Sequence, residues 1–393
     1  MKNGIIGLLL CSAILLAKAQ ETFYDFIQLG PHQIGFCDSI IYDTTCLYQQ
    51  FDYEGSSPIF SKIWFPIMCS ESSNYLKFGD FNASNVPVSL SKVHKELSYH
   101  MDEIFIRDGI SFDIMTGEPI VYENVSVQEV LDKIKLMETK SKASEIHSKL
   151  DNPVIVYHHG NQGLSVENTI MGEYFASKGY IFISANFHLP YPNTIFGLLP
   201  LSLENEKMHK QRAAKAVVEF AKTLTTSNEL TFIGHSWGAQ EGWCFLNDSS
   251  YASAFVSMET TIEYKSDSTI IKEIWPYVYC AIKINKNKFS IPILLFAAQD
   301  DNMNFDFFKG LSNKKMIYAS YKEPFTHNSY TSLLMLRYFL SREFKQPDRE
   351  IMLTQIQGYA AHLDFISAFL ENQKAGSNSN LETFQEWFII TQD

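Results

Sequence analysis

Three kinds of residue in this chain could together carry out acyl transfer: a serine between glycines, a histidine far downstream, and a carboxylate between them. The serine is Ser236, in the run Thr231-Phe-Ile-Gly-His-Ser-Trp-Gly-Ala239. A Gly-x-Ser-x-Gly between a buried strand and a helix makes a turn too tight for side chains at its flanking positions, here Gly234 and Gly238. Such a turn lifts the serine Oγ clear of the backbone. It also sets the oxygen at a helix N-terminus, where partial positive charge favours a developing anion. Ser236 is therefore expected to be a nucleophile. The plain alternative is a glycine-rich strand-to-helix turn with a passive serine.

A tetrahedral intermediate needs N–H donors for its oxyanion. The backbone N–H of Trp237, directly after the serine, is one candidate. The loop Tyr157-His-His-Gly-Asn-Gln-Gly163 should supply the other, with the Asn161 N–H placed first and Gln162 as its substitute. The adjacent His158 and His159 could suggest a metal. Neighbouring strand residues point to opposite faces, however, so packing or loop-bracing roles are expected.

The proton acceptor should lie after the last strand. His327, in Glu323-Pro-Phe-Thr-His-Asn-Ser-Tyr330, sits in a loop just ahead of a helix, where a histidine can reach the serine. His362 is the rival, but it falls within a helical pattern and reads as structural. For the acid, two positions stay open. Asp301, with Asp300 beside it, ends the run Pro292-Ile-Leu-Leu-Phe-Ala-Ala-Gln-Asp-Asp-Asn302. Glu259 ends the strand that follows the elbow helix. Either could equally be a solvated loop carboxylate.

The elements that must position these residues alternate. Pro153–Tyr157 and Tyr180–Ser184 read as buried strands, with a helix between them from about 167 to 178. A long amphipathic helix is expected over 206–224, then strands over 229–233, 252–258, 293–297 and 316–320 with helices between and after. Strands alternating with helices in this way imply an α/β fold with a doubly wound, mostly parallel sheet. Ahead of this core, 23–66 reads as strands, ending in Ile59-Phe-Ser-Lys-Ile-Trp-Phe65 and stopped by Pro66. From 76 to 150 the pattern shifts to helix and irregular chain, with a capping box at Ser126-Val-Gln-Glu129. The resulting division is 1–19, an N-terminal extension over 20–152 and a core over 153–345. Possible cap segments cover 189–204 and 263–289, and C-terminal helices cover 346–393.

The first nineteen residues read as a signal peptide: Lys2, an apolar run from Gly4 to Leu16, then Ala17-Lys-Ala19 ahead of cleavage before Gln20. Export, to the outside or to a periplasm, is the expected outcome, with an N-terminal membrane anchor as the alternative. No later run reaches the ~20 residues of a spanning helix, so no stable span is expected after cleavage. Of six cysteines in the sequence, Cys11 leaves with the leader. Cys37, Cys46, Cys69, Cys244 and Cys280 show neither Cys-x-x-Cys spacing nor zinc-spaced histidines, so no metal is expected. A bridge between Cys37 and Cys46 is conceivable, and Cys244 reads as a core residue. The net charge of −12 argues against nucleic acid as a partner, because the phosphates would be repelled.

Several of these residues also carry a resemblance. The strand ending in His159-Gly160, the helix ending in Ala176-Ser-Lys-Gly-Tyr180 and the elbow Gly234-His-Ser-Trp-Gly238 are similar to the platelet-activating-factor acetylhydrolase and dienelactone-hydrolase-like group of α/β hydrolases. Ile34-Gly-Phe36 and Ile63-Trp-Phe-Pro66 resemble that group's N-terminal strands. The resemblance covers most of the chain except about 80–150. It implies the α/β-hydrolase fold, and in the acetylhydrolase branch it puts the acid at Glu259, where aspartate is usual. Dienelactone hydrolases use cysteine where Ser236 stands, so lactone specificity does not carry over.

The expected activity is hydrolysis of carboxylic esters through a Ser-His-acid triad and an acyl-enzyme, with no cofactor. The expected partner is a small ester, lipid-like or aryl if Phe196, Leu198, Leu199, Trp275 and Tyr277 cap the pocket rather than pack as core. A peptidase or acyltransferase on the same residues is one alternative. A non-catalytic binding protein with the same fold is another.

Overall fold

The computed structural model describes residues 24–68, 74–82, 85–111, 119–120, 122, 125–161, 163–194, 211–265, 268–298, 303–309, 311, 313, 315–323, 325–341, 349–375 and 381–392. The expected signal segment 1–19, Cys69, Gln162, residues 195–204 of the first expected cap segment, Asp300 and Asp301 lie outside them.

Ten strands form one sheet. In chain order they are β1 (Gln33–Gln50), β2 (Tyr53–Ile67), β3 (Ser141–Ala143), β4 (Val154–His158), β5 (Ile181–Ala185), β6 (Leu230–His235), β7 (Ala254–Met258), β8 (Ile293–Ala297), β9 (Met316–Tyr321) and β10 (Phe388–Gln392). Their spatial order is β10-β9-β8-β7-β6-β4-β5-β2-β1-β3. The six strands from β9 to β5 run parallel, while β2, β1 and β10 join antiparallel. Every residue of β4 to β9 is buried. Helices cover both faces of this parallel region, which is why these segments read as unbroken apolar runs rather than alternating ones.

The helices are α1 (Ser91–Ile104), α2 (Val127–Lys135), α3 (Thr169–Ser177), α4 (Arg212–Leu224), α5 (Trp237–Phe245), α6 (Ser268–Ile274), α7 (Pro276–Ile284), α8 (Leu333–Ser341) and α9 (Arg349–Ala375). Two apolar cores result. One packs Ile170, Tyr174, Leu334, Tyr359, Ile366 and the insertion's Leu97 and Val130 onto one face of the sheet. The other packs Val217, Trp243, Ile271, Val278 and Ile282 onto the opposite face. Helices α6 and α7 thus contribute to a core, which is the packing reading of segment 263–289.

The expected capping box forms: Ser126 Oγ accepts the Glu129 N–H at 3.2 Å, and Glu129 accepts the Ser126 N–H at 2.7 Å. The N-terminal strands are longer than expected. β1 and β2 make a hairpin whose register breaks between Asp43 and Leu47. The polar pair Ser61-Lys62 that interrupts the apolar run of β2 does not break the strand. Ser61 Oγ donates to the Ser39 carbonyl at 2.8 Å, and Lys62 lies opposite Asp38 on β1.

The insertion is tied to the core by Glu173 on α3. Its carboxylate accepts from the Lys140 N–H at 2.9 Å, from Ser141 Oγ at 2.6 Å and from the Tyr24 hydroxyl. Burial raises the pKa of Glu173 despite these donors.

A disulfide between Cys37 and Cys46 is ruled out, since both are free thiols. They lie on the same strand, and the regular stretch from Cys37 to Asp43 alone covers roughly 20 Å at ~3.3 Å per residue, against the ~6 Å a disulfide spans. Cys37 and Cys244 are both pushed up to about 12 by burial, as expected for inert thiols. Among the described residues no helix is long and apolar enough to cross a membrane.

Candidate active site

The chain leaves β4, adds β5 on one side, then returns to lay β6 on the other. That reversal opens a crevice beyond the carboxyl ends of β4 and β6, the usual place for a site in an open α/β sheet. Ser236 stands at the end of β6, between His235 and the first residue of α5.

The backbone of Ser236 has φ 53° and ψ −114°, a strained conformation for a residue with a side chain. Two close approaches impose it. A Cβ on Gly234 would lie 2.4 Å from the Gly238 carbonyl oxygen, and a Cβ on Gly238 would lie 2.2 Å from that of His158. Both glycines are therefore needed to bring α5 this close to β6 and β4. The serine remains partly exposed, and its N–H donates to the Met258 carbonyl at 3.0 Å.

Met258 immediately precedes Glu259, so this bond sets the elbow beside the end of β7. Glu259 also has positive φ, 50°. Its carboxylate reaches His327, with Nδ1 at 2.6 Å from Oε1, while Oε2 accepts the Ala298 N–H at 2.8 Å. Burial opposes ionisation of Glu259, but the His327 bond and charge, the Ala298 N–H and the Tyr264 hydroxyl outweigh it and lower its pKa. For His327, burial pulls downward and Glu259 more than compensates, so its pKa is raised. Of the two acids left open by the sequence, Glu259 is the one on the histidine; Asp301 lies outside the described residues.

His327 is held from a second side. His235 Nε2 donates to its carbonyl oxygen at 2.9 Å, and the two rings are 4.8 Å apart. His235 Nδ1 is 3.5 Å from buried Glu167. Burial disfavours the charge on Glu167, yet the neighbouring His235 and the Tyr157 hydroxyl lower its pKa. Asn168 extends the network, donating to the Tyr157 hydroxyl and the Tyr330 carbonyl and accepting from Tyr359 and the Ser332 N–H. The histidine loop is thus fastened to the elbow by the His235 bond and to α3 by Asn168, while His235 Nδ1 itself makes no hydrogen bond and meets Glu167 only as a 3.5 Å charge contact.

The loop after β4 is braced by both of its histidines. His159 Nδ1 donates to the Gly160 carbonyl at 2.6 Å and Nε2 accepts the Phe187 N–H at 3.2 Å. The ring of His158 stacks on Phe187 at 3.7 Å, and its Nε2 lies 3.3 Å from Glu241. Gly163, at φ 79°, turns the chain back after exposed Asn161. Among the described residues no group of three or more His, Cys, Asp or Glu side chains could hold a metal ion.

His362 sits in α9, 4.2 Å from the Phe296 ring, with Nε2 3.0 Å from Met258 Sδ. Burial holds its pKa down to about 3, as for a neutral core residue.

Sequence reasoning passed over Glu167, Asn168, Glu241 and Tyr264. Glu241 did leave a signal, being a carboxylate beside Gln240 in a helix whose other residues are apolar or glycine.

No family model matches the sequence, and no curated protein does. Among solved structures, a ferulic acid esterase from Streptomyces cinnamoneus aligns with TM-score 0.53 and 13% identity, over 91% of this chain and 96% of its own. An esterase from Pyrobaculum calidifontis aligns at TM-score 0.41 and 12% identity, over 82% of this chain and 84% of its own. Est1E from Butyrivibrio proteoclasticus aligns at 0.34 and 18%, over 52% and 90%. Only the first is close enough to bear on architecture, and at that identity it speaks to the fold alone. Together with the mostly parallel sheet and the flanking helices, it defines the class: this chain has the α/β-hydrolase fold.

Proposed function

We propose that this protein is a serine hydrolase of carboxylic esters, with Ser236 as nucleophile, His327 as general base and Glu259 as the acid that orients it. The supporting observation is the 2.6 Å contact of His327 Nδ1 with Glu259, made beside a serine held in a strained turn. With the Nδ1 proton committed to Glu259, Nε2 keeps its lone pair and can accept the Ser236 proton.

Ser236 Oγ attacks the ester carbonyl carbon as its proton passes to His327 Nε2. The oxyanion is received by the N–H groups of Trp237 and Asn161. Collapse breaks the ester C–O bond, and His327 returns the proton to the departing alcohol. Water, deprotonated by the same nitrogen, then releases the acid from the acyl-enzyme. The raised pKa of His327 suits the imidazolium formed in each step.

The resemblance to the acetylhydrolase and dienelactone-hydrolase-like group favours an ester over an amide. The leader over 1–19 supports export. Wild type should hydrolyse p-nitrophenyl esters and be labelled at Ser236 by a fluorophosphonate probe. Ser236→Ala should keep the fold and lose both. Unchanged ester turnover in that variant would overturn the reading.

A further inference from the structure

Glu241 is the fifth residue of α5, and its side chain is 7% exposed. Its carboxylate touches two residues with different jobs. Oε1 accepts Trp237 Nε1–H at 3.3 Å, and Oε2 lies 3.3 Å from His158 Nε2. Trp237 carries one of the two N–H groups assigned to the oxyanion. His158 ends β4, and the loop carrying the other, at Asn161, starts directly after it.

The His158 ring is fixed from three directions. Nδ1 donates to the His159 carbonyl at 2.9 Å, its face stacks on Phe187, and Nε2 faces the Glu241 carboxylate at 3.3 Å without a hydrogen bond, a contact that is attractive when the ring is imidazolium. Its backbone carbonyl abuts Gly238. A buried carboxylate is costly without partners, and a solvated residue here would serve α5 equally well as a helix former. The placement of Glu241 is accounted for by what it joins.

We propose that Glu241 is a positioning residue of the oxyanion hole, clamping the elbow N–H of Trp237 and the β4 loop in one fixed spacing. The proposal rests on the hydrolase reading above. Donors aimed at the transition-state oxygen lose their effect when displaced by fractions of an ångström, while ground-state binding barely changes. The clamp should therefore act on kcat rather than KM.

The test uses the full-length chain, with active sites counted by fluorophosphonate titration and p-nitrophenyl acetate as substrate. Glu241→Leu, which keeps bulk and removes both contacts, should lower kcat per titrated site about ten- to a hundredfold, short of the ~10²–10³ lost with an oxyanion donor itself. KM should stay within about threefold, and affinity for a trifluoromethyl ketone, whose hemiketal oxyanion occupies the hole, should fall in parallel with kcat/KM. Glu241→Gln, which keeps an acceptor for Trp237 Nε1–H, should recover most of the loss. If Glu241→Leu does not fold, Trp237→Phe carries the test, since it keeps the backbone donor and an aromatic ring while removing the ring N–H that Glu241 accepts; a lower kcat with weaker ketone binding is expected.

Wild-type kcat and ketone affinity in the folded variant would overturn the proposal, as would a loss confined to KM or to the count of titratable sites. An inactive, unlabelled wild type would instead sink the hydrolase reading and this inference with it.

Discussion

His235 and His327 are joined by a single bond, from the ring Nε2 of the first to the backbone carbonyl oxygen of the second, at 2.9 Å. One is the neighbour of the candidate nucleophile, and the other is the candidate base. Ninety-two positions separate them in the chain, and no secondary structure fixes their distance. The bond does, and buried Glu167 lies behind the His235 ring.

His235→Leu should therefore loosen the 327 loop while leaving both the serine and the base in the chain. A fall in kcat of at least about tenfold is expected, with KM little changed, since a positioned base contributes ~10²–10⁴-fold. His235→Gln, whose side-chain amide can still donate, should retain more activity than the leucine variant. Equal activities in the two would show that the bond is idle.

Because Glu259 raises the pKa of His327, the base stays protonated and unusable to a higher pH than an ordinary histidine. The acid limb of kcat/KM should then fall above the usual value of 6.5. Glu259→Gln removes the raising charge, so the limb should move to lower pH as kcat drops by up to about 10⁴. A limb that stays in place would mean that another group sets it.

Glu263 lies buried four residues from Glu259 in contact with Thr260. Burial, with the nearby charge of Glu259, pushes it up from 4.5 to about 7. Below pH 4.5 both folded and unfolded chains hold this proton, and no penalty arises. Between 4.5 and about 7 the unfolded chain releases it and the folded one does not, so this group lowers stability as pH rises. Above that the cost levels off, on the order of 3 kcal/mol. Glu263→Gln should flatten this slope and raise Tm most at pH 8, as followed by thermal melts across pH.

Gly238→Ala places a methyl 2.2 Å from the His158 carbonyl oxygen. That oxygen belongs to the backbone of a central strand and cannot swing aside. Overpacking of this kind costs about 1–3 kcal/mol or more, so a lowered denaturation midpoint is expected together with lost activity. A variant with wild-type stability would show that the elbow is more open than this contact implies.

Much of this was legible from the residues. The β-branched runs gave the parallel strands because a strand covered on both faces must be apolar throughout, and the two glycines gave the elbow because no other residue fits. The hairpin β1–β2 was harder. Its residues are only partly buried over much of β1, so no clean period survives to mark its length. The choice between Glu259 and Asp301 was undecidable locally, since each follows an apolar run in the sequence, and the contact of Glu259 with His327 depends on the course of a loop 68 positions away. Glu167 and Tyr264 act through contacts with distant segments, which no spacing rule encodes, and so does Glu241 toward His158, although its contact with Trp237 follows helical i, i+4 spacing.

The sheet ends at β10, a strand of five residues laid antiparallel along β9. Every side chain of β9 is buried, and without that border its free peptide groups would be an open template for a second copy. Trimming the chain before Phe388 would thus do more than shorten it. Loss of β10 would move the free edge from a short, partly exposed strand to fully buried β9, inclined to stack edge to edge, with clumping the first symptom.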